Sequence, residues 1–299
     1  AVYQYLVDKY VGKDDILGDR FPGKHLHGQK NSDVSVFTDE YYDTPSLALF
    51  ANKNSVRHRT RVNTTNPEDR KSGRQLVQVK VTPPGQFTLR NELKYEVSND
   101  ARPAKQTGEK HPLIRLISKK LRADFEKVFA EAGLDARSLH HIFTIVQTRR
   151  RGYLNWDDKN ILSFSVDQGS ASILWGKGTF SSVDLGLVEI AYTEATEQRR
   201  EEMWNVRDAI LADLVRQFPA LVQTTDSKYS IVLTQLVDQV PALPLLLRTG
   251  LSAGETLGLA GLGLVLALLV IVALVRLSKE NPRRTLARPE HFQSGHRRA

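Results

Sequence analysis

The sequence predicts an α+β fold: an antiparallel β-barrel forming a tunnel, with covering helices, followed by a single C-terminal transmembrane helix. Three observations predict it. Several segments alternate with a period of two and carry rows of long cations on one face; two segments repeat apolar residues at helical spacing; and one stretch near the C-terminus is long and uncharged. In an extended chain successive side chains point to opposite faces, so Arg57, Arg59 and Arg61 fall on one side and Val56, His58 and Thr60 on the other. Leu76–Thr82 sets Val77, Val79 and Val81 against Gln78 and Lys80, and Arg90–Val97 sets Leu93, Tyr95 and Val97 against Arg90, Glu92, Lys94 and Glu96. Thr144–Tyr153 offers Gln147, Arg149 and Arg151 on one face. An ordinary sandwich strand turns a mixed polar face to water. Faces crowded with long cations and carboxylates instead suit the inside of a closed barrel, with the apolar residues outside under helices.

Taken in order, the first 33 residues are polar and glycine-bearing. His25 and His27 stand two apart, but no partner ligand is in sight, which favours a solvated loop over a metal site. Val34–Phe37 reads as a strand leading into the turn Tyr42-Asp43-Thr44, and Asn63–Lys71 as a polar hairpin loop. Asn63-Thr64-Thr65 is a glycosylation sequon, meaningful only in a eukaryotic secretory setting. After a polar stretch, Ile114, Ile117, Leu121, Phe125, Val128 and Ala132 recur at helical spacing until Gly133, so one helix is expected from about Leu113. Strands are expected at His141–Tyr153, Ile161–Val166, Ala171–Trp175 and Leu185–Thr193, with a turn at Trp175–Gly178. A second helix runs from about Glu194 to Phe218, with Met203, Val206, Ile210, Leu214 and Phe218 on one face and Pro219 as its stop. Glu194 and Glu197 suit the positive end of that helix better than a catalytic role. Lys228 falls at a closing strand or at the start of the last helix.

Residues 257–275 contain no charged side chain, and nineteen such residues rise about 28 Å, close to the hydrocarbon thickness of a bilayer. The segment has no polar face, which argues against a buried core helix. Gly254 and Gly258 form a small-xxx-small pair able to pack two spans into a homodimer. Seven Lys and Arg residues follow the span, whereas Arg248 stands alone in the twenty residues before it. The positive-inside rule therefore puts the tail in the cytoplasm and the globular domain outside. That topology calls for a signal peptide already removed, in keeping with the absence of an initial Met; the rival is a tail-anchored protein with a cytosolic domain. The resulting domain reading is 1–236 tunnel domain, 237–256 linker, 257–275 transmembrane helix and 276–299 basic tail.

Composition excludes several functions. The formal charge is +8, but the tail holds seven cations against two carboxylates, so +5 belongs to the tail and +3 to all that precedes it. With the folded part close to balance, and no aromatic-rich basic strand, nucleic acid is not an expected partner. There is no cysteine, which rules out disulfides, thiolate metal sites and cysteine nucleophiles.

The order of motifs resembles the CYTH, or triphosphate tunnel metalloenzyme, superfamily over about residues 34–236. The residues that carry the resemblance are Tyr42-Asp43-Thr44 with Leu47 and Leu49, then Arg57 and Arg59, then Lys80, then Arg90, Glu92 and Glu96. After them come Arg149 and Arg151 before Tyr153, Asp167, Glu189 in an E-I-x strand, and Ser227-Lys228-Tyr229. The chain departs from the family twice: no E-x-E-x-K precedes Tyr41, and the second carboxylate of E-I-E is Ala191.

The resemblance implies a tunnel in which Arg57, Arg59, Lys80, Lys94, Arg149, Arg151 and Lys228 neutralise a triphosphate or polyphosphate chain. It also implies that Glu92, Glu96, Asp167 and Glu189 hold Mg²⁺ or Mn²⁺ through oxygen ligands. Phosphoryl transfer needs charge clamps, a divalent ion and a placed water rather than covalent help from the protein. The implied function is metal-dependent hydrolysis of an inorganic or organic triphosphate. A VTC-type polyphosphate polymerase and a non-catalytic polyanion-binding domain are the alternatives. A self-satisfied ion-pair network is the structural alternative for the mixed rows.

Overall fold

The computed structural model describes residues 1–11, 26–63, 73–81, 91–97, 113–156, 159–175, 178–192 and 200–249. These belong to one unit, Ala1–Gly250. Its centre is a seven-stranded antiparallel sheet in the order β4-β3-β2-β1-β5-β6-β7. The strands are β1 (Leu26–Asp43), β2 (Ser55–Asn63), β3 (Gln75–Val81), β4 (Asn91–Glu96), β5 (His140–Trp156), β6 (Lys159–Trp175) and β7 (Gly178–Tyr192). The helices are α1 (Val2–Tyr10), α2 (Ala48–Ala51), α3 (Leu113–Leu116), α4 (Arg122–Glu131), α5 (Arg200–Gln217), α6 (Lys228–Gln239) and α7 (Leu243–Thr249).

The sheet is open, not the closed barrel the sequence led us to expect: among the described residues β4 and β7 are edges with no pairing to each other. The reason lies at β4. This strand is six residues long, and its end pairs with the following chain instead, through the bridge Val97–Ile117 and the bond from Ser118 N to Glu96 O. The sheet nevertheless curls. Lys80 on β3 and Glu189 on β7 shift one another's ionisation. Across a flat sheet those strands would lie five spacings, roughly 24 Å, apart, far beyond a screening length of about 10 Å. The result is a trough with a concave polar side.

Two helical layers cover the convex side. Val56, Val77, Val79 and Tyr95 pack under α3 and α4 with Leu113, Ile117, Phe125 and Phe129. Leu154, Leu162, Phe164 and Val166 pack under α1 and α5 with Leu6, Tyr10, Met203, Val206, Ile210 and Leu214. The third cluster lies on the concave side, where α6 and α7 fill one end: Tyr229, Val232, Leu233, Leu236, Leu243 and Leu247 meet Tyr41, Phe143, Ile145, Ile173 and Leu185. Helices were expected outside only. The concave row of β1, β5, β6 and β7 turns apolar at that end, and this apolar surface is what α6 buries. Leu243 and Leu247 are core residues, so 237–249 continues the folded unit rather than forming a linker.

Several element boundaries also differ from expectation. The first residues of the stretch read as polar and glycine-bearing form a helix, α1. The single helix expected from Leu113 is broken into α3, a 3-10 turn at Lys119–Leu121 and α4, because Ile117 is drawn into its bridge with Val97. The two strands expected at Ile161–Val166 and Ala171–Trp175 are one strand, β6. Gly169 does not interrupt it; a Cβ there would lie 2.0 Å from Val146 O, so the glycine permits a close approach of β6 to β5. Trp175 at the end of β6 pairs with Gly178 at the start of β7, and residues 176–177 of the expected turn lie outside the described residues. His25, Arg90, Glu194, Glu197, most of the 63–65 sequon, the 257–275 span and the tail lie outside the described residues. Among the described residues no helix is long and apolar enough to cross a membrane.

Candidate functional site

The site is built by strand register. Tyr41 pairs with Arg57, Asp39 with Arg59, and Arg57 with Gln78, so these residues share the concave face. Glu92 pairs with Lys80, Lys94 with Gln78, Phe37 with Gln147, and Arg149 with Asp167. Arg151 pairs with Ser165, which pairs with Glu189. The period-two rows read from the sequence therefore stand on one surface.

Two buried aspartates organise the cations. Asp39 is fully buried on β1. It accepts from Arg59 Nε at 2.5 Å and Nη2 at 2.6 Å, from Arg57 Nη1 at 3.4 Å, and from Gln147 Nε2 at 2.9 Å. Arg57 also donates Nε to Gln78 at 2.9 Å and Nη1 to the Tyr41 hydroxyl at 3.0 Å. Across the trough, fully buried Asp167 accepts both Nε and Nη2 of Arg149 at 2.6 Å. Lys228, the first residue of α6, bonds Asp167 and also donates to Gln147 Oε1 at 2.6 Å. Gln147 thus links the two clamps, its oxygen facing the ammonium and its nitrogen facing Asp39.

The charge states follow from these contacts. Burial alone would raise the Asp39 carboxyl, but Arg57 and Arg59 outweigh it and hold it well below the carboxylate range. Burial is likewise overcome at Asp167, where Arg149 and Lys228 lower the pKa to about 2. Lys228 moves down to about 8, mainly by burial, with Arg149 adding repulsion and Asp167 opposing it. Burial, then the repulsion of Arg57, also lowers Lys80 and Arg59. Arg57 and Arg149 move the other way: against burial, Asp39 and the Tyr41 hydroxyl raise Arg57, and Asp167 with Glu189 raises Arg149.

The remaining expected residues divide. Lys80 stands 3.6 Å and Lys94 3.5 Å from Glu92, which also accepts from Gln78 at 2.9 Å. Glu189 lies 3.3 Å from Arg149. Arg151 shares the row, and its buried Nε has no hydrogen-bond partner among the described residues. Glu96 stands apart from the cluster: its side chain is 72% exposed at the end of β4, 3.5 Å from Arg74. The oxygens of Asp167 are already held by two cations, Arg149 and Lys228. Among the described residues no three carboxylates or histidines converge on a point where a metal would sit. Among the described side chains the inward row of β1 reads Ser35, Phe37, Asp39 and Tyr41, with both Asp39 oxygens engaged by Arg59. Glu92 and Glu189 remain: their side chains are 33% and 48% exposed, and cations lower both against the pull of burial, so both are ionised at neutral pH.

Asp39 and Tyr41 share this network and were not singled out by the sequence, whereas Gln78 and Gln147 stood on the expected polar rows without a role. Alternation could have found Asp39, because it shares a row with Tyr41. The run Thr38-Asp39-Glu40 instead reads as a polar approach to a turn.

No protein-family model and no curated protein matches the chain. Among solved structures it is similar to the PH1819 protein of Pyrococcus horikoshii OT3, with a TM-score of 0.40 and 11% identity over 78% of this chain and 93% of that one. It is also similar to a Bacillus halodurans protein described as a candidate adenylate cyclase, with a TM-score of 0.37 and 13% identity over 65% of this chain and 80% of that one. Similarity at this level leaves the functional reading to the chain's own residues.

Proposed function

We propose that the concave face binds the phosphate chain of a triphosphate or polyphosphate anion. One observation carries this reading. Among the described side chains the trough holds eight cations, Arg57, Arg59, Arg61, Lys80, Lys94, Arg149, Arg151 and Lys228, against four carboxylates, Asp39, Glu92, Asp167 and Glu189. A network that existed only to satisfy itself would come closer to balance. Each bidentate guanidinium uses two of its five N–H donors on aspartate, which leaves donors for phosphate oxygens. The aspartates hold the forks in place before the anion arrives, so less side-chain freedom is lost on binding.

Metal-dependent hydrolysis is the second reading, favoured by the two ionised, part-exposed carboxylates that both couple to Lys80. Mg²⁺ is commonly held by one or two carboxylates with substrate phosphates completing its shell. Glu92 and Glu189 fit that role, where Mg²⁺ or Mn²⁺ would neutralise charge and acidify a water. The chain's own part is to bind and orient the phosphates through Arg57, Arg59, Arg149 and Lys228, and to keep those cations spaced through Asp39 and Asp167.

The full chain should be titrated with tripolyphosphate, and phosphate release followed with and without Mg²⁺ or Mn²⁺. Binding without metal supports the anion-binding reading. Metal-dependent release that Glu189→Gln removes, with metal-free binding retained, supports hydrolysis; binding without release under either metal overturns it.

A further inference from the structure

Phe37 is out of place for an aromatic ring. It is 8% exposed and sits in the inward row of β1, between Ser35 and Asp39, yet it belongs to none of the three apolar clusters. Its neighbours are cations. The Arg59 guanidinium carbon lies 4.3 Å from the ring centroid and that of Arg149 5.7 Å. Arg59 comes from β2, on one side of β1, and Arg149 from β5, on the other. One ring is therefore shared by the two arginines that the aspartates clamp separately.

A guanidinium over an aromatic face is stabilised by the ring quadrupole while its in-plane N–H donors stay available. That is the arrangement needed to present two forks to one phosphoryl group. We propose that Phe37 is a positioning residue of the anion site, whose ring sets the spacing and tilt of Arg59 and Arg149 so that one phosphate group bridges them. This inference rests on the anion-binding reading above.

The test is calorimetric titration of the full chain with tripolyphosphate for wild type, Phe37→Leu, Phe37→Met and Phe37→Tyr, with the anion-free melting temperature of each. Leucine and methionine keep an apolar side chain and remove the ring; tyrosine keeps the ring. Affinity is expected to fall about tenfold in the leucine and methionine variants and to return to within about twofold of wild type in the tyrosine variant. Melting temperature should not follow that order. Should Phe37→Leu fail to fold, the methionine and tyrosine variants carry the same comparison. Wild-type binding with the ringless variants unchanged, or with tyrosine as weak as they are, overturns the inference alone. Absence of wild-type binding overturns the anion-binding reading and the inference with it.

Discussion

Asp39 and Asp167 decide how the trough's cations stand, and each is costly to remove. Replacing Asp167 with Asn leaves Arg149 and Lys228, about one-tenth exposed, without their shared counter-charge. Removing one partner of a buried pair costs about 3–5 kcal/mol. Asp167→Asn should therefore lower the melting temperature in anion-free buffer, and tripolyphosphate should raise it by more than in wild type, because the anion then serves as the missing counter-charge. An equal shift in both proteins would mean that these cations do not meet the ligand. Lys228 supplies a pH signature. Its folded pKa, about 8, lies below the ordinary 10.5. The unfolded chain holds the extra proton across that interval, so this group makes stability rise with pH from about 8 to about 10.5. Anion binding runs the opposite way, since an anion favours the ammonium: affinity should fall as pH rises through about 8. Lys228→Arg should flatten that fall, and an unchanged profile would assign it to another group.

The elements show how far the sequence could be read. Rows such as Arg57-Arg59-Arg61 and Val77-Val79-Val81 gave strand identity and face together, because one side of each was to be buried and a shift of one residue would invert them. Continuity was harder to see. Gly169 looks like a break in β6, and only the approach of Val146 O explains it. The aromatic AVYQYLVDKY looks strand-like, and its helix is fixed by a partner more than 200 residues away. Asp213 on α5 accepts from Tyr5 at 2.7 Å, Tyr10 at 2.8 Å, Lys9 at 2.5 Å and Arg216 at 2.6 Å. The end of α1 also rests on β1, where a Cβ at Gly28 would lie 1.8 Å from Tyr10 O. Asp213→Asn should cost at least about 2 kcal/mol, the scale of hydrogen bonds to a charged acceptor. It should also let trypsin cut after Lys9 sooner than in wild type, in a time course followed by mass spectrometry. Unchanged cleavage would mean that α1 is held by its apolar face alone.

At the scale of the whole molecule, alternation predicted a cation-lined concavity but not whether the sheet closes. Closure is decided by the two edges, and the chain at the end of β4 bonds Ile117 and Ser118, a contact that no local pattern announces. The concave plug of α6 and α7 was equally hidden, since an amphipathic helix does not state which side of a sheet it will cover. The 257–275 span remains a proposal resting on its uncharged run and on the cations that follow it. Protease added to intact cells expressing the full chain should digest the domain and spare a small fragment containing the span and tail. Protection of the domain would reverse that orientation.

The trough's cations form, we propose, a binding site for a phosphate chain. The most direct measurement is calorimetric titration of the full chain with tripolyphosphate and with orthophosphate at low and high salt, beside Lys80→Gln. Lys80 is the cation for this test because its side chain is 30% exposed and its partner Glu92 keeps Gln78 and Lys94. Saturable binding of tripolyphosphate is expected, tighter than that of orthophosphate and weakened by salt. One lost charge-assisted contact is worth about 1.5–3 kcal/mol, so Lys80→Gln should bind at least about tenfold more weakly. No saturable binding by the folded wild-type chain, or equal affinity in Lys80→Gln, would contradict it.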